Sequence, residues 1–200
     1  MSLTKCREAL LARGYRVSVH QTAKEAAEYL NAQIDGVSVG VGGSMTVREM
    51  GLCESLAAHN TVYNHWEPPA GMTAREVQAA AATAEVYLSS VNALSLDGVI
   101  VNMDGACNRV AGTLFGHKRV YFIVGSNKLA KDEAAAVFRT RNVAAPKNAA
   151  RLERHTPCVT AGRCMNCSSP ERICRATVIM DRPPRGPHYE ILLINEELGY

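Results

Sequence analysis

The run Val120–Val124 reads VYFIV, apolar almost without a break. A strand with one wet face alternates apolar and polar residues. A continuous run needs cover on both faces, the condition of a strand inside a parallel sheet with helices above and below it. Two further stretches, 37–41 and 86–89, also read as strands, and helical patterns separate the three. This alternation predicts an α/β fold, an open and mostly parallel sheet covered by helices. Leu3–Arg13 is amphipathic and stops at Gly14, while Thr22 with Glu25 and Thr73 with Glu76 have capping-box spacing. Single helices are expected over 46–58, 132–140 and 146–154, and a short one opening at Asn108. Thr61–Tyr63 and Val99–Asn102 read as strands, and Leu96-Asp97-Gly98-Val99 as a hairpin turn. Residues 176–180 and 189–194 are read as a closing β-hairpin that extends the sheet.

Composition removes several classes. A chain of 200 residues suits one domain, here taken as 1–200, and 47% hydrophobic residues suit a globular core. The net charge of +3 comes from acids and bases mixed along the chain, without the basic stripe of a nucleic-acid binder. No stretch approaches the roughly 18 apolar residues of a membrane span. Lys5, Arg7, Glu8 and Arg13 interrupt the first residues, which therefore do not resemble a secretory leader. The expected location is the cytoplasm, with a homo-oligomer open as an assembly. Seven cysteines, an odd number with four bunched, argue for a metal site over a secreted disulfide framework.

The segment VSVGVGGSMTVREMGL, Val37–Leu52, reads as strand, glycine turn and helix. Glycines permit close approach of a ligand to the backbone, and a helix start offers free N–H groups and a positive dipole end. Gly42, Gly43, Ser44 and Thr46 are thus candidates for binding an anion, although the spacing is neither GxGxxG nor a P-loop. Ligands of open α/β sheets sit beyond the carboxyl ends of the strands. Asn92, Asp104, Asn108, Arg109, Asn127 and Lys128 fall at such ends. Asp104 is the candidate general base and Arg109 a fork for a carboxylate or phosphate. Lys128 taken alone is read as a solvated charge, and Glu49 as compensation for the helix dipole. His65 and Trp66, in the loop NHWEPPAG, either overhang a ligand or form a packed surface flap; the flap is the preferred reading.

The second chemical signal is Cys158-x5-Cys164-x2-Cys167-x6-Cys174. Thiolates at this spacing suit zinc or an iron–sulfur cluster, which makes 156–175 a metal-binding loop. One run with a single C-x-x-C leans toward a [4Fe–4S]-type cluster, with zinc as the alternative; a labile disulfide pair or free thiols are the remaining readings. Cys6 and Cys53 are taken as small core residues, and Cys107 lies among the polar candidates.

Several motifs occur in one order: GVGGSMTVREMGL, the stretch from YLSSVNALSLDG to FIVGSNKL, RNVAAPKNAARL, TPC…GRCMNCSSPERIC and EELGY. Together they resemble the lactate-utilisation family, the LUD domain. The resemblance implies the open α/β fold of the ribose-phosphate isomerase, glucosamine-phosphate deaminase and CoA-transferase superfamily, with Gly42 to Thr46 cradling a phosphate or acyl group. It also implies a part in lactate or related organic-acid oxidation, alongside iron–sulfur or flavin redox partner proteins. The catalytic glutamate of CoA transferases has no counterpart here. Three functions follow as expectations: binding of a small anionic metabolite, a metal-dependent redox or regulatory module, and a phosphosugar isomerase-like enzyme with Asp104 as base.

Overall fold

The structure, a computed structural model, describes residues 2–200. Its main sheet has six strands, β1 (Arg16–His20), β2 (Ser38–Val41), β3 (Thr61–Asn64), β4 (Val86–Ser89), β7 (Arg119–Gly125) and β10 (His188–Ile194). They lie in the order β1-β10-β7-β4-β2-β3, every neighbouring pair parallel. The apolar run in β7 explains why this sheet has two cores. Val120, Phe122 and Val124 pack into one cluster with Cys6, Leu10 and Tyr87. Tyr121 and Ile123 point the other way, into a cluster with Leu30, Leu52 and Leu56. Helices α1 (Leu3–Ala12) and α2 (Ala23–Gln33) therefore cover opposite faces.

A smaller sheet branches from the strand ends. It contains β5 (Ala93–Ser95), β6 (Ile100–Asp104), β8 (Leu129–Ala130) and β9 (Ala176–Met180), ordered β8-β5-β6-β9. The turn expected at 96–99 closes the β5–β6 hairpin, with Gly98 at φ +83°.

The closing hairpin is not formed. β9 pairs antiparallel with β6 in the small sheet, while β10 enters the main sheet between β1 and β7. The reason lies in burial. Ile191 and Leu193 fill one core and Leu192 and Ile194 the other, so β10 needs neighbours and cover on every side. β9 alternates half-buried and exposed residues up to Met180, the pattern of an edge strand.

Two expected helix boundaries also move. The helix over 46–58 is split into α3 (Met45–Glu49) and α4 (Leu52–Ala57), because Gly51 adopts φ +60° and turns the chain between them. Conversely, 132–154 does not contain two separate helices. Helix α7 (Glu133–Arg139) runs through a wide π turn at 140–144 directly into α8 (Ala145–Arg151). Pro146 lacks an N–H and crowds the carbonyl one turn back, and the wider turn accommodates it. The Thr73–Glu76 capping box forms at α5 (Ala74–Ala81). Thr22 caps α2 as expected, but the Glu25 carboxylate reaches Gln21 N at 2.7 Å, one residue before the cap.

The chain leaves β2 toward β3 on one side and leaves β4 toward β7 on the other. Adjacent strands whose connections diverge open a crevice at their carboxyl ends.

Candidate functional site

That crevice is a cavity of about 710 Å³. The loop after β2 supplies Gly43 and Ser44, the loop after β4 supplies Ser90 to Asn92, and the turn after β7 supplies Lys128. From β6 and its following helix α6 (Asn108–Leu114) come Asp104, Asn108 and Arg109. Each sits where it does because its strand ends there.

Arg109 organises the floor. Its Nη1 donates to Asn102 Oδ1 at 2.6 Å and reaches Ser90 O at 3.5 Å, and its Nη2 donates to Met103 O at 2.6 Å and Asn92 Oδ1 at 3.1 Å. Asn92 Oδ1 also accepts from Met103 N, and Asn102 Oδ1 from Asn92 N. One guanidinium thus ties the end of β4 to the end of β6. Asp104 lies 3.9 Å from Arg109 Nε, each side chain 12% exposed, and its Oδ2 accepts from Val110 N. The carboxylate therefore caps α6, whose residue Cys107 stands at φ +67° and offers no side-chain cap.

Lys128 is buried to 3% exposure. Its Nζ donates to Thr46 Oγ1 at 2.7 Å and Ser90 Oγ at 2.8 Å. Burial, followed by repulsion from Arg139 and Arg109, pushes its pKa down to about 7, and Glu49 only partly opposes this. The wall is completed by Trp66, over which Arg151 stacks with Cζ 4.9 Å from the ring centre. Arg151 Nε in turn donates to Tyr200 Oη at 2.7 Å. Arg154, Arg172 and Arg175 add further positive charge to the lining, against the carboxylates of Asp104 and Glu171. Two lining groups, His65 Nδ1 and Thr140 Oγ1, are buried without a hydrogen-bond partner among the described residues.

The four clustered cysteines line one much smaller cavity of about 20 Å³. Cys158 lies on helix α9 (Pro157–Ala161), which Gly162 ends at φ +65°. Asn166, inside the C-x-x-C, takes φ +44°, and its N–H approaches Cys164 Sγ at 3.4 Å. Arg172 donates to Cys167 O at 2.6 Å and to Cys174 O at 2.8 Å, folding the segment back on itself. Burial pushes the Cys174 thiol upward, Arg172 opposes this, and the other three thiols add to the rise. No three His, Cys, Asp or Glu side chains among the described residues already stand as a single-ion cage. The two cavities share a wall made of Ala145, Arg172, Ile173 and Cys174.

The LUD domain model matches residues 3–194. The chain belongs to the LUD domain family. Among solved structures, this LUD protein is similar to a DUF162 family protein from Deinococcus radiodurans, with a TM-score of 0.51 and 13% identity over 96% of this chain and 95% of that one. At that identity the likeness shows the fold, an α/β architecture with a mostly parallel sheet. eIF2B beta from Chaetomium thermophilum is matched at TM-score 0.33 and 16% identity, over 65% of this chain and 43% of that one. No curated protein matches the sequence.

Of the ten ligand-site candidates, the LUD protein brings seven to the cavity: Gly43, Ser44, Asn92, Asp104, Asn108, Arg109 and Lys128. The other three stand behind it. A Cβ at Gly42 would lie 2.8 Å from Arg109 Cγ, so this glycine admits the arginine. Thr46 is fully buried beneath Lys128, and Asn127 holds the C-terminal segment through Gly199 O and Leu198 N. The reading of Lys128 as solvated is corrected, because β7 ends directly beneath the cavity and the turn folds the side chain inward. His65 and Trp66 are half-buried and line the cavity, as the reading in which they overhang a ligand requires, while 67–71 of the same loop are exposed. Arg151 and Tyr200 lie in the stretches RNVAAPKNAARL and EELGY, but nothing local to either stretch marks them as cavity wall; the spacing of Asn148 and Arg151, one helical turn apart, gives only a shared helix face.

Proposed function

We propose that this LUD-domain protein binds a small organic acid in the large cavity and serves lactate or related organic-acid oxidation in the cytoplasm. The observation that carries the reading is the charge of the lining, where six cations, Arg109, Lys128, Arg151, Arg154, Arg172 and Arg175, face two carboxylates. Arg109 spends its terminal N–H groups on the protein, so it positions Asn92 and the strand ends. The charge available to a ligand comes from the remaining arginines, joined by Lys128 in its protonated fraction. Asp104 is held as a helix cap and ion partner, which disfavours the phosphosugar isomerase-like reading with Asp104 as base.

The four thiols are proposed to hold an iron–sulfur cluster of the [4Fe–4S] type, with zinc as the alternative occupant. The support is chemical: four sulfur donors face one cavity, with two backbone carbonyls already claimed by Arg172. None of the seven cysteines forms a disulfide, which leaves the four clustered sulfurs open to a metal. A cluster supplies one-electron storage when bound, and the shared wall sets it beside the organic-acid site. Oxidation then needs a redox partner, an iron–sulfur or flavin protein.

The test is anaerobic purification with iron, sulfide and zinc analysis, followed by binding measurements with a panel of hydroxy and oxo acids on the same sample. The expected result is stoichiometric iron and sulfide and saturable acid binding. A Cβ at Gly43 would lie 3.0 Å from the Trp66 ring, so Gly43→Val should displace this wall and weaken acid binding about tenfold or more while the protein stays folded. Unchanged affinity in the folded variant would move the acid site elsewhere.

A further inference from the structure

We propose that Lys128 is a covalent catalytic residue that forms an imine with the carbonyl group of a 2-oxo acid bound in the large cavity. The inference rests on the organic-acid reading above and deepens it, by naming both the substrate class and the reacting atom.

The argument starts from hydrogen-bond directions. Ser90 Oγ donates its single hydrogen to Ile123 O, and Thr46 Oγ1 donates to Leu198 O at 3.3 Å. Both hydroxyls therefore act only as acceptors toward Nζ. They receive two amine hydrogens, at 2.7 and 2.8 Å. With Cε they occupy three corners of the nitrogen tetrahedron. The fourth corner holds a lone pair when the amine is neutral. No carboxylate lies within ion-pairing distance of Nζ among the described residues, where a structural lysine this buried would ordinarily find one. The charged groups around it are instead Arg139 and Arg109; burial first, and then these two, push its pKa down to about 7 against the weaker pull of Glu49, so a large share of the amine is neutral at physiological pH. A desolvated amine beside cationic neighbours is the environment of a nucleophilic lysine.

The substrate class follows from the pairing of this amine with its surroundings. A nucleophilic nitrogen calls for a carbonyl carbon, and the arginine-rich lining calls for a carboxylate. A 2-oxo acid carries both groups on adjacent carbons. The lone pair of Nζ adds to the carbonyl carbon, forming the C–N bond as the carbonyl electron pair moves to oxygen. That oxygen takes one proton originating from nitrogen, giving a carbinolamine. Loss of the hydroxyl with the second nitrogen hydrogen forms the C=N bond and releases one water. No oxidant or reductant takes part. The imine withdraws electrons from the carbon next to it, which is what chemistry at that position needs.

The experiment uses the purified full chain with pyruvate as probe and cyanoborohydride to reduce any imine, near neutral pH. The expected outcome is one added carboxyethyl group per chain, mapped by peptide mass spectrometry to Lys128. Modification there should run about a hundredfold faster than at the solvent-exposed Lys24 and Lys131, which lack the desolvated surroundings of Lys128. Lys128→Met should abolish the fast phase with the circular dichroism spectrum unchanged; if that variant does not fold, the peptide map of the unmodified protein still decides. Pyruvate binding is measured separately, without reductant, by ligand-observed NMR. Binding with no adduct at Lys128, or with adducts spread evenly over surface lysines, overturns the imine and leaves the organic-acid site intact. Absence of binding by pyruvate and by the whole organic-acid panel overturns both.

Discussion

Arg109 and Lys128 sit at the same strand ends and do opposite things with their charge. Arg109 distributes its charge over four acceptors and becomes part of the frame. Arg109→Ala removes every one of those bonds and leaves the Asp104 carboxylate without its ion partner. We expect it to lower unfolding free energy by about 3 kcal/mol or more, the scale for removing one member of a buried charged network. Chemical denaturation measures this, and a loss within error of zero would return Arg109 to the ligand. Lys128 has no ion-pair partner, and burial lowers its pKa. Its folded pKa, about 7, lies below the ordinary lysine value, so between pH 7 and that value the unfolded chain binds the extra proton. Stability contributed by this site therefore rises as pH increases from 7 toward 10. Below 7 both states are protonated and the buried ammonium carries its full cost. Urea midpoints of the protein and of Lys128→Met should differ most in the variant's favour at pH 6, and that advantage should shrink steadily by pH 9. A pH-independent difference would show that the amine titrates normally.

At the level of elements, the site depends on interruptions in regular structure. Gly51 at φ +60° lets α3 end after little more than one turn, which keeps Ser44, whose hydroxyl accepts from Val47 N, at the cavity edge. A Cβ at Gly51 meets nothing closer than Glu54 Oε2 at 3.9 Å, so Gly51→Ala tests the backbone alone. The expected loss is about 1–2 kcal/mol, the cost of holding an L-residue left-handed, with the cavity otherwise preserved. Thermal unfolding checks it, and a stabilised variant would show that α3 and α4 can merge. The π turn at 140–144 has a parallel role. It runs between the two cavities, with Thr140 on the large one and Arg141 on the cysteine one.

Across the whole molecule, the cysteine segment is the part with least apolar support. Cys158 to Cys174 contributes no residue to the buried cores, and Val159 and Met165 are exposed. Its order is expected to come from the metal, since binding energy becomes folding energy in such loops. Serine at any one of Cys158, Cys164, Cys167 or Cys174 should lower metal content markedly, with Cys6→Ser and Cys53→Ser as unaffected controls. Trypsin should then cut at exposed Arg163 first, leaving the α/β body whole; Arg172 is held by its bonds to Cys167 O and Cys174 O. Stoichiometric metal in the quadruple variant, or neither iron nor zinc in an anaerobic preparation, contradicts the assignment.

Local periodicity determined most of the elements. VYFIV demanded cover on two faces, the capping spacing placed α2 and α5, and the cysteine run brought four thiols to one small cavity. These are short-range facts, written in neighbouring residues. The same logic was present in YEILLI, whose continuous apolar character needs a central position; reading it as a hairpin partner followed sequence proximity, whereas burial on both faces decided its place. Seven ligand-site candidates were legible because strand ends carry polar residues in a predictable place. Lys128, Arg151, Trp66 and Tyr200 were not legible in their roles. Whether a lysine is solvated or desolvated depends on which distant segments enclose it. Here Thr46 and Ser90, 82 and 38 residues away, supply the enclosure. Only the tertiary structure brings those segments together, and with them the burial that sets the charge of the amine.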